Sequence, residues 1–155
     1  MQIEQVTQRN DELLIAAAWI HQEWESADSS LEQTHEWCAA VARSTDQAFF
    51  VARTEGRVTG CALLVHTDLA GRADLSPWLS SVYVDPSYRR HRAGEALVAR
   101  VEALAAALGH HTLYLYTDAL TGPEAWYQRL GWRHLEDSLL RGRAITIMSK
   151  PLRQG

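Results

Sequence analysis

Positive charge is in short supply in this sequence. Lysine and arginine total 15 against 19 aspartates and glutamates, a formal net charge of −4. A chain that grips nucleic-acid phosphates needs a basic face, so no nucleic-acid partner is expected, nor an aminoacyl-tRNA substrate. Cysteine is nearly absent too. Cys38 and Cys61 are the two present, and they stand in neither metal-ligand nor redox spacing. They read as small buried hydrophobes, and no metal is expected. With no disulfide framework and no signal-peptide pattern at Met-Gln-Ile-Glu-Gln, a reducing cytoplasm is the expected setting. Apolar runs stay far below the roughly 20 residues that cross a bilayer, so no membrane partner is expected. Internal repeats, low-complexity stretches and interdomain linkers are also lacking. What is present is 46% hydrophobic residues in a chain of 155. That suits one domain, residues 1–155, with a core of its own.

The most informative stretch runs from Ser81 to Leu97. Val82, Tyr83 and Val84 are strand formers. Asp85-Pro86 ends the strand in a turn. Arg89, Arg90, His91 and Arg92 make a short basic loop. A helical pattern then begins at Gly94, with Leu97, Val101, Leu104 and Leu108 on one face. A helix N-terminus offers free backbone N–H groups and a partial positive charge. With arginines beside it, such a turn suits a phosphate or pyrophosphate.

The remaining elements can be read in order. Ile3 to Val6 is a short strand. Leu13, Ala17, Ile20 and Trp24 place an amphipathic helix over residues 11–25. Ser26 to Ser30 is a polar loop, and Ser30 with Gln33, or Ser29 with Glu32, forms a capping box for a second helix reaching Ser44. Ala48 to Arg53 is a strand covered on both faces. Glu55-Gly56 turns it into a return strand, Val58 to Asp68, in which Gly60 marks a bulge or close approach. Trp78 to Val84 follows after a loop. Leu108-Gly109 caps the helix that begins at Gly94, and Thr112 to Thr117 is a strand. Thr121 and Glu124 form a capping box for a short helix that stops at Gly131. Two last strands, from Trp132 and over Ala144 to Met148, flank Arg141-Gly142-Arg143.

Val-Tyr-Val-Asp-Pro with Arg89-x-x-Arg92-x-Gly94 resembles the acetyl-CoA signature of the GNAT (GCN5-related N-acetyltransferase) superfamily. Ala125-Trp126-Tyr127-Gln128-Arg129-Leu130-Gly131-Trp132 is similar to the family's second signature, Ala-x-Tyr-x-x-x-Gly-Phe/Trp. The order of elements agrees from end to end. The resemblance implies an α/β fold with one central, mixed but mostly antiparallel twisted sheet flanked by about four helices. It also implies acetyl-CoA as cosubstrate. Val82, Tyr83 and Val84 would pair with the pantetheine arm through their backbone. Arg89, Arg90, His91, Arg92, Ala93, Gly94 and Glu95 would surround the pyrophosphate. Arg92 departs from the pattern, because the family places its first loop glycine there, and a positive φ would be costly for arginine.

The implied reaction is acetyl transfer to the primary amine of a small molecule by direct attack in a ternary complex. A neutral amine, an oxyanion donor and a proton for the departing thiolate are then required. Tyr127 matches the family's general acid, although a tyrosine on a packed helix also serves simply as core. A backbone N–H of the Val82–Val84 strand would hold the oxyanion. Tyr116 stands about where some members carry a glutamate base. Glu23, His66, Asp68 and Asp118 are further base candidates. Trp19, Glu23, Trp24, Asp68 and Trp78 are the candidate acceptor-binding residues. The carboxylates, with Glu25 and Asp28, suit a cationic amine, and the tryptophans suit cation–π walls. Arg141 and Arg143 favour instead a substrate bearing an anion. The rival readings are a protein lysine or N-terminal acetyltransferase and a non-catalytic acetyl-CoA-binding sensor. A homodimer is left open.

Overall fold

A computed structural model describes residues 1–24, 29–89 and 92–153. Its elements are β1 (Gln2–Val6), α1 (Asp11–Trp24), α2 (Leu31–Arg43), β2 (Ala48–Thr54), β3 (Arg57–Val65), β4 (Trp78–Val84), α3 (Ala93–Ala107), β5 (Thr112–Asp118), α4 (Glu124–Arg129), β6 (Arg133–Leu140) and β7 (Arg143–Pro151), with a 3-10 turn at Pro86–Tyr88 after β4. The strands form one seven-stranded sheet in the order β1-β2-β3-β4-β5-β7-β6. All neighbours are antiparallel except β4 and β5. The expected mixed, mostly antiparallel sheet with four helices is therefore present.

Side chains in a strand alternate between the two faces of the sheet, and β2 and β3 are apolar at nearly every position, so both faces need cover. Phe49, Val51, Cys61 and Leu63 join Leu13 and Ile20 of α1 and Cys38 and Val41 of α2 in one core. Phe50, Ala62 and Leu64 join Leu97 and Val101 of α3 and Tyr127 of α4 in the other. Both cysteines are buried, and neither is in a disulfide. Gly60 lets α3 come close, since a β-carbon there would stand 3.1 Å from the Leu97 side chain and 2.8 Å from the Tyr83 carbonyl.

The local signals are realised with a few shifts. Ser30 and Gln33 make the reciprocal capping box of α2. Glu55-Gly56 and Arg141-Gly142 are two-residue turns with positive φ at both positions, as tight antiparallel hairpins require. β3 ends at Val65 rather than Asp68 because its partners end there: Ala48 pairs with Leu64, and Trp78 with Val65. The expected Thr121–Glu124 capping box does not form. Asp118 accepts hydrogen bonds from the N–H groups of Leu120 and Thr121, which winds the chain into a turn and leaves Pro123 as the cap of α4. α3 begins at Ala93, one residue before Gly94, with Arg92 as its cap. β7 is longer than expected, its outer residues being drawn into pairing with β5 and β6.

Candidate active site

β4 and β5 are parallel neighbours, yet they share a single pair, Trp78 with Tyr114. Beyond it β5 keeps its partner β7 as far as Asp118, and β4 keeps its partner β3 as far as Val84. The sheet is thus split between two interior strands, and the edge of β4 that faces β5 has no strand partner along Val82–Val84 among the described residues. Unpaired backbone groups inside a sheet call for a hydrogen-bonding partner.

A bulge in β4 accompanies the split. Cys61 pairs with Tyr83 and Leu63 with Ser80, so β4 carries one residue more than β3 over that interval. Such an insertion bends a strand and increases its twist. Ser81 takes up the irregularity with φ 56°, in the left-handed region. Its carbonyl accepts a hydrogen bond from the Cys61 thiol at 3.4 Å. The carbonyl and N–H of a trans peptide point in opposite directions, so the Val82 N–H is directed away from Cys61.

The turn after β4 is fixed by Asp85. Its N–H donates to the Thr59 carbonyl at 2.8 Å, and its carboxylate accepts from the Ser87 N–H at 2.9 Å. Arg92 then adopts φ 61° and ψ 17° with no side-chain cap on α3. This left-handed geometry is what glycine adopts freely and arginine does not. Buried Ala93 starts the helix, and exposed Glu95 lies in its first turn. Gly94 is overlaid by Trp126, whose ring carbons would stand 3.3 Å from a β-carbon placed there. Arg89 folds back on β4. Its Nε donates to the Val84 carbonyl at 2.9 Å, and its guanidinium lies 5.4 Å from the centre of the Tyr83 ring. Arg90 and His91 lie outside the described residues.

Tyr127 sits on α4, 7% exposed. Trp126 and Trp132 pack edge-on against it, with ring centroids at 4.9 and 6.0 Å. Burial pushes its phenol well above the ordinary tyrosine range, so the group is protonated at neutral pH.

The opposite face of the sheet carries the acceptor candidates. Trp19 and Trp24 gather around Tyr83, with ring centroids at 5.3 and 6.3 Å. Trp24 is half exposed and Glu23 beside it is exposed. Trp19 also lines an open groove of 410 Å³ with Ile15, Val58 and Asp85. Trp78 is placed differently from the expectation. It is fully buried, its indole N–H donates to the Leu75 carbonyl at 2.6 Å, and Tyr114 and Tyr116 pack against it. It is a core residue and offers no wall to a ligand, because strand alternation turns it inward beneath the sheet's own aromatics. Glu25 and Asp28 lie outside the described residues.

The base candidates separate clearly. Asp118 is held at about 2 by the N–H groups of Thr121 and Leu120, with Arg143 adding to the effect, so it forms a turn and is a poor base. His66 pairs with Asp46 at 3.0 Å on the surface. Tyr116 packs against Trp78. Asp68 accepts a hydrogen bond from the Ser80 hydroxyl at 3.0 Å, and Ser80 lies 3.0 Å from the Ser81 hydroxyl. The two serines were not among the sequence candidates, although a Ser-Ser pair interrupting an apolar strand was a visible signal. Arg143 is bound to Asp118 at 2.6 Å, and Arg72 to Asp74 at 3.0 Å and Glu136 at 2.9 Å. These pairings offset much of the positive charge near the last hairpin.

The Acetyltransferase (GNAT) family matches this sequence over residues 11–132, from the start of α1 to the end of the second signature. The chain belongs to that family. Solved acetyltransferases share its fold. A ribosomal-protein-alanine N-acetyltransferase from Brucella melitensis superposes with a TM-score of 0.78 at 23% identity, covering 98% of this chain and 100% of that one. An aminoglycoside 6'-acetyltransferase type Ii gives 0.75 at 22% identity, covering 97% of each chain. An aminoglycoside 6'-N-acetyltransferase complexed with coenzyme A gives 0.75 at 18% identity, again over 97% of each. No curated protein matches the chain by sequence. Among the described residues, no helix of this GNAT chain is long and apolar enough to cross a membrane.

Proposed function

We propose that this GNAT chain transfers the acetyl group of acetyl-CoA to a primary amine of a small molecule, by direct attack within a ternary complex. The split between β4 and β5 carries this reading. Its backbone edge along Val82–Val84, which has no strand partner among the described residues, suits the amides of a pantetheine arm, and it leads to the turn before α3. Backbone N–H groups at the start of α3 then suit the pyrophosphate, with Arg92 contributing its main chain. Arg89 reaches phosphate only by leaving Val84 and Tyr83.

In the reaction the amine nitrogen bonds to the thioester carbonyl carbon, and the carbonyl oxygen takes up negative charge. The Val82 N–H, directed away from the Cys61 thiol, is the donor we assign to that oxyanion. Collapse breaks the carbon–sulfur bond and releases the thiolate. Tyr127 supplies the hydrogen bond, and finally the proton, that the thiolate needs. A deeply buried thiol with a raised pKa is a poor nucleophile. Cys61 is such a thiol, which supports direct attack over an acyl-enzyme. Among acceptors, the likeness to aminoglycoside acetyltransferases supports small amines, and the likeness to a ribosomal-protein-alanine enzyme keeps a protein N-terminus as the second reading.

Thermal unfolding with acetyl-CoA, desulfo-CoA and ATP tests the cosubstrate. A ligand of the folded state raises the melting temperature, so a rise with the first two and little with ATP is expected. No rise with acetyl-CoA removes the reading. CoA release over a panel of small amines and N-terminal peptides then separates the two acceptor classes.

A further inference from the structure

Consecutive residues of a regular strand point to opposite faces. In β4 Trp78, Ser80 and Tyr83 belong to the α1–α2 face, whereas Leu79, Val82 and Val84 pack toward α3. The bulge allows one exception. Ser81 is the extra residue, and its hydroxyl lies 3.0 Å from that of Ser80, on the same side. Ser80 in turn donates to a carboxylate oxygen of Asp68 at 3.0 Å. Three oxygens are thereby strung from the loop after β3 to the bulge. Ser80 is nearly buried at 4% exposure, whereas Asp68 and Ser81 are part-exposed.

The direction of the chain follows from its donors. A hydroxyl has one hydrogen to give. Ser80 spends its hydrogen on Asp68, so the Ser80–Ser81 bond is donated by Ser81. The Ser81 oxygen is then left as an acceptor at the free end. That end lies just past the last β4–β5 pair, Trp78 with Tyr114, where the split opens. A non-glycine residue held at positive φ, as Ser81 is, marks stored strain of the kind found at working sites.

We propose that Ser81, Ser80 and Asp68 form a proton relay that deprotonates the acceptor, which is therefore an amine that arrives as a primary ammonium ion. The proposal rests on the acetyl-transfer reading above. The ammonium N–H donates to Ser81. Its proton passes to the Ser81 oxygen as the Ser81 hydrogen moves to Ser80 and the Ser80 hydrogen moves to Asp68. The products are a neutral amine, two unchanged hydroxyls and a protonated Asp68. Attack on the thioester then leaves one surplus proton on nitrogen, which goes to solvent, while Tyr127 protonates the thiolate and regains its proton from solvent. Asp68 finally releases its own, so that one proton leaves per acetyl transferred. Of the three residues, Ser81 touches the substrate, and Asp68 acts through the serines.

The test compares wild type with Asp68→Asn, Ser80→Ala and Ser81→Gly, using an amine that the wild type acetylates. At neutral pH each variant is expected to lose kcat/KM for the amine by about 100-fold, with KM for acetyl-CoA unchanged. The loss should shrink as pH rises toward the amine's own pKa, where neutral amine is supplied by solvent. Ser81→Gly guards against misfolding, because glycine accepts positive φ freely, and it should melt no lower than wild type. A fully active Ser81→Gly, or Asp68→Asn with a pH profile parallel to wild type, overturns the relay. A wild type that binds acetyl-CoA but acetylates no amine overturns the acetyl-transfer reading itself, and the relay with it.

Discussion

The Lys150 ammonium on β7 donates to the carbonyl of Leu130, at the end of α4, over 2.7 Å. The same nitrogen reaches Glu102 of α3 at 2.8 Å, and the other oxygen of Glu102 accepts from the Trp132 indole at 3.3 Å. Three elements therefore meet on one charge behind the six-residue helix that carries Tyr127. A helix so short has little stability of its own, so its position is set by these tertiary contacts. Lys150→Met would leave the Leu130 carbonyl and Glu102 without this donor. Stability should fall by about 1–3 kcal/mol, read from urea unfolding, and kcat should fall with it as Tyr127 loses its fixed place.

Tyr127→Phe keeps the ring between Trp126 and Trp132 and deletes the hydroxyl alone. Stability should barely change. Turnover should drop on the order of 100-fold, with KM for acetyl-CoA close to that of wild type. Equal turnover in steady-state assays of the two proteins would take Tyr127 out of the chemistry and leave it as core.

Arg92 bears a backbone conformation at φ 61° that costs an L-residue about 1 kcal/mol or more. Arg92→Gly should therefore raise stability by about 1 kcal/mol. Affinity for acetyl-CoA, measured by titration calorimetry, should be unchanged or tighter. A marked loss of affinity would show that the arginine side chain itself contacts phosphate.

The front of α4 carries a titrating contact. His134 Nδ1 meets Glu124 at 3.0 Å and its Nε2 meets Asp137 at 3.3 Å. The Glu124 hydrogen bond, with the charges of Asp137 and Glu124, raises its pKa above the ordinary 6.5. A raised folded-state pKa means that the stabilisation is complete below 6.5 and fades as pH climbs through the higher, folded value. His134→Gln should remove that slope. Melting curves collected across this range should converge at alkaline pH and separate on the acid side, with wild type the more stable.

Much of this protein is legible in its sequence. The Val82–Val84 strand, the Asp85-Pro86 stop and the helix over Leu97 and Val101 follow from local rules, namely strand propensity, turn chemistry and helical periodicity. The same holds for Glu55-Gly56 and the Ser30–Gln33 cap, whose partners lie within a few residues of each other. Tyr127 stands out as a candidate because its neighbours in sequence carry a family pattern. The acceptor side was harder, because exposure and pairing depend on residues far apart in the chain. A tryptophan at a strand start reads alike whether it lines a pocket or fills a core, and Trp78 proved to be core once Tyr114 and Tyr116 were packed on it. Asp118 reads as a free carboxylate until the turn wraps its N–H groups around it. The split of β4 from β5, the one-residue bulge and the line from Asp68 through Ser80 to Ser81 exist only when four strands are in register. The sequence alone determined the elements and the family, since those rest on short-range contacts. The tertiary structure alone decided which polar groups meet, since a register shift of one residue turns a side chain from one face of the sheet to the other.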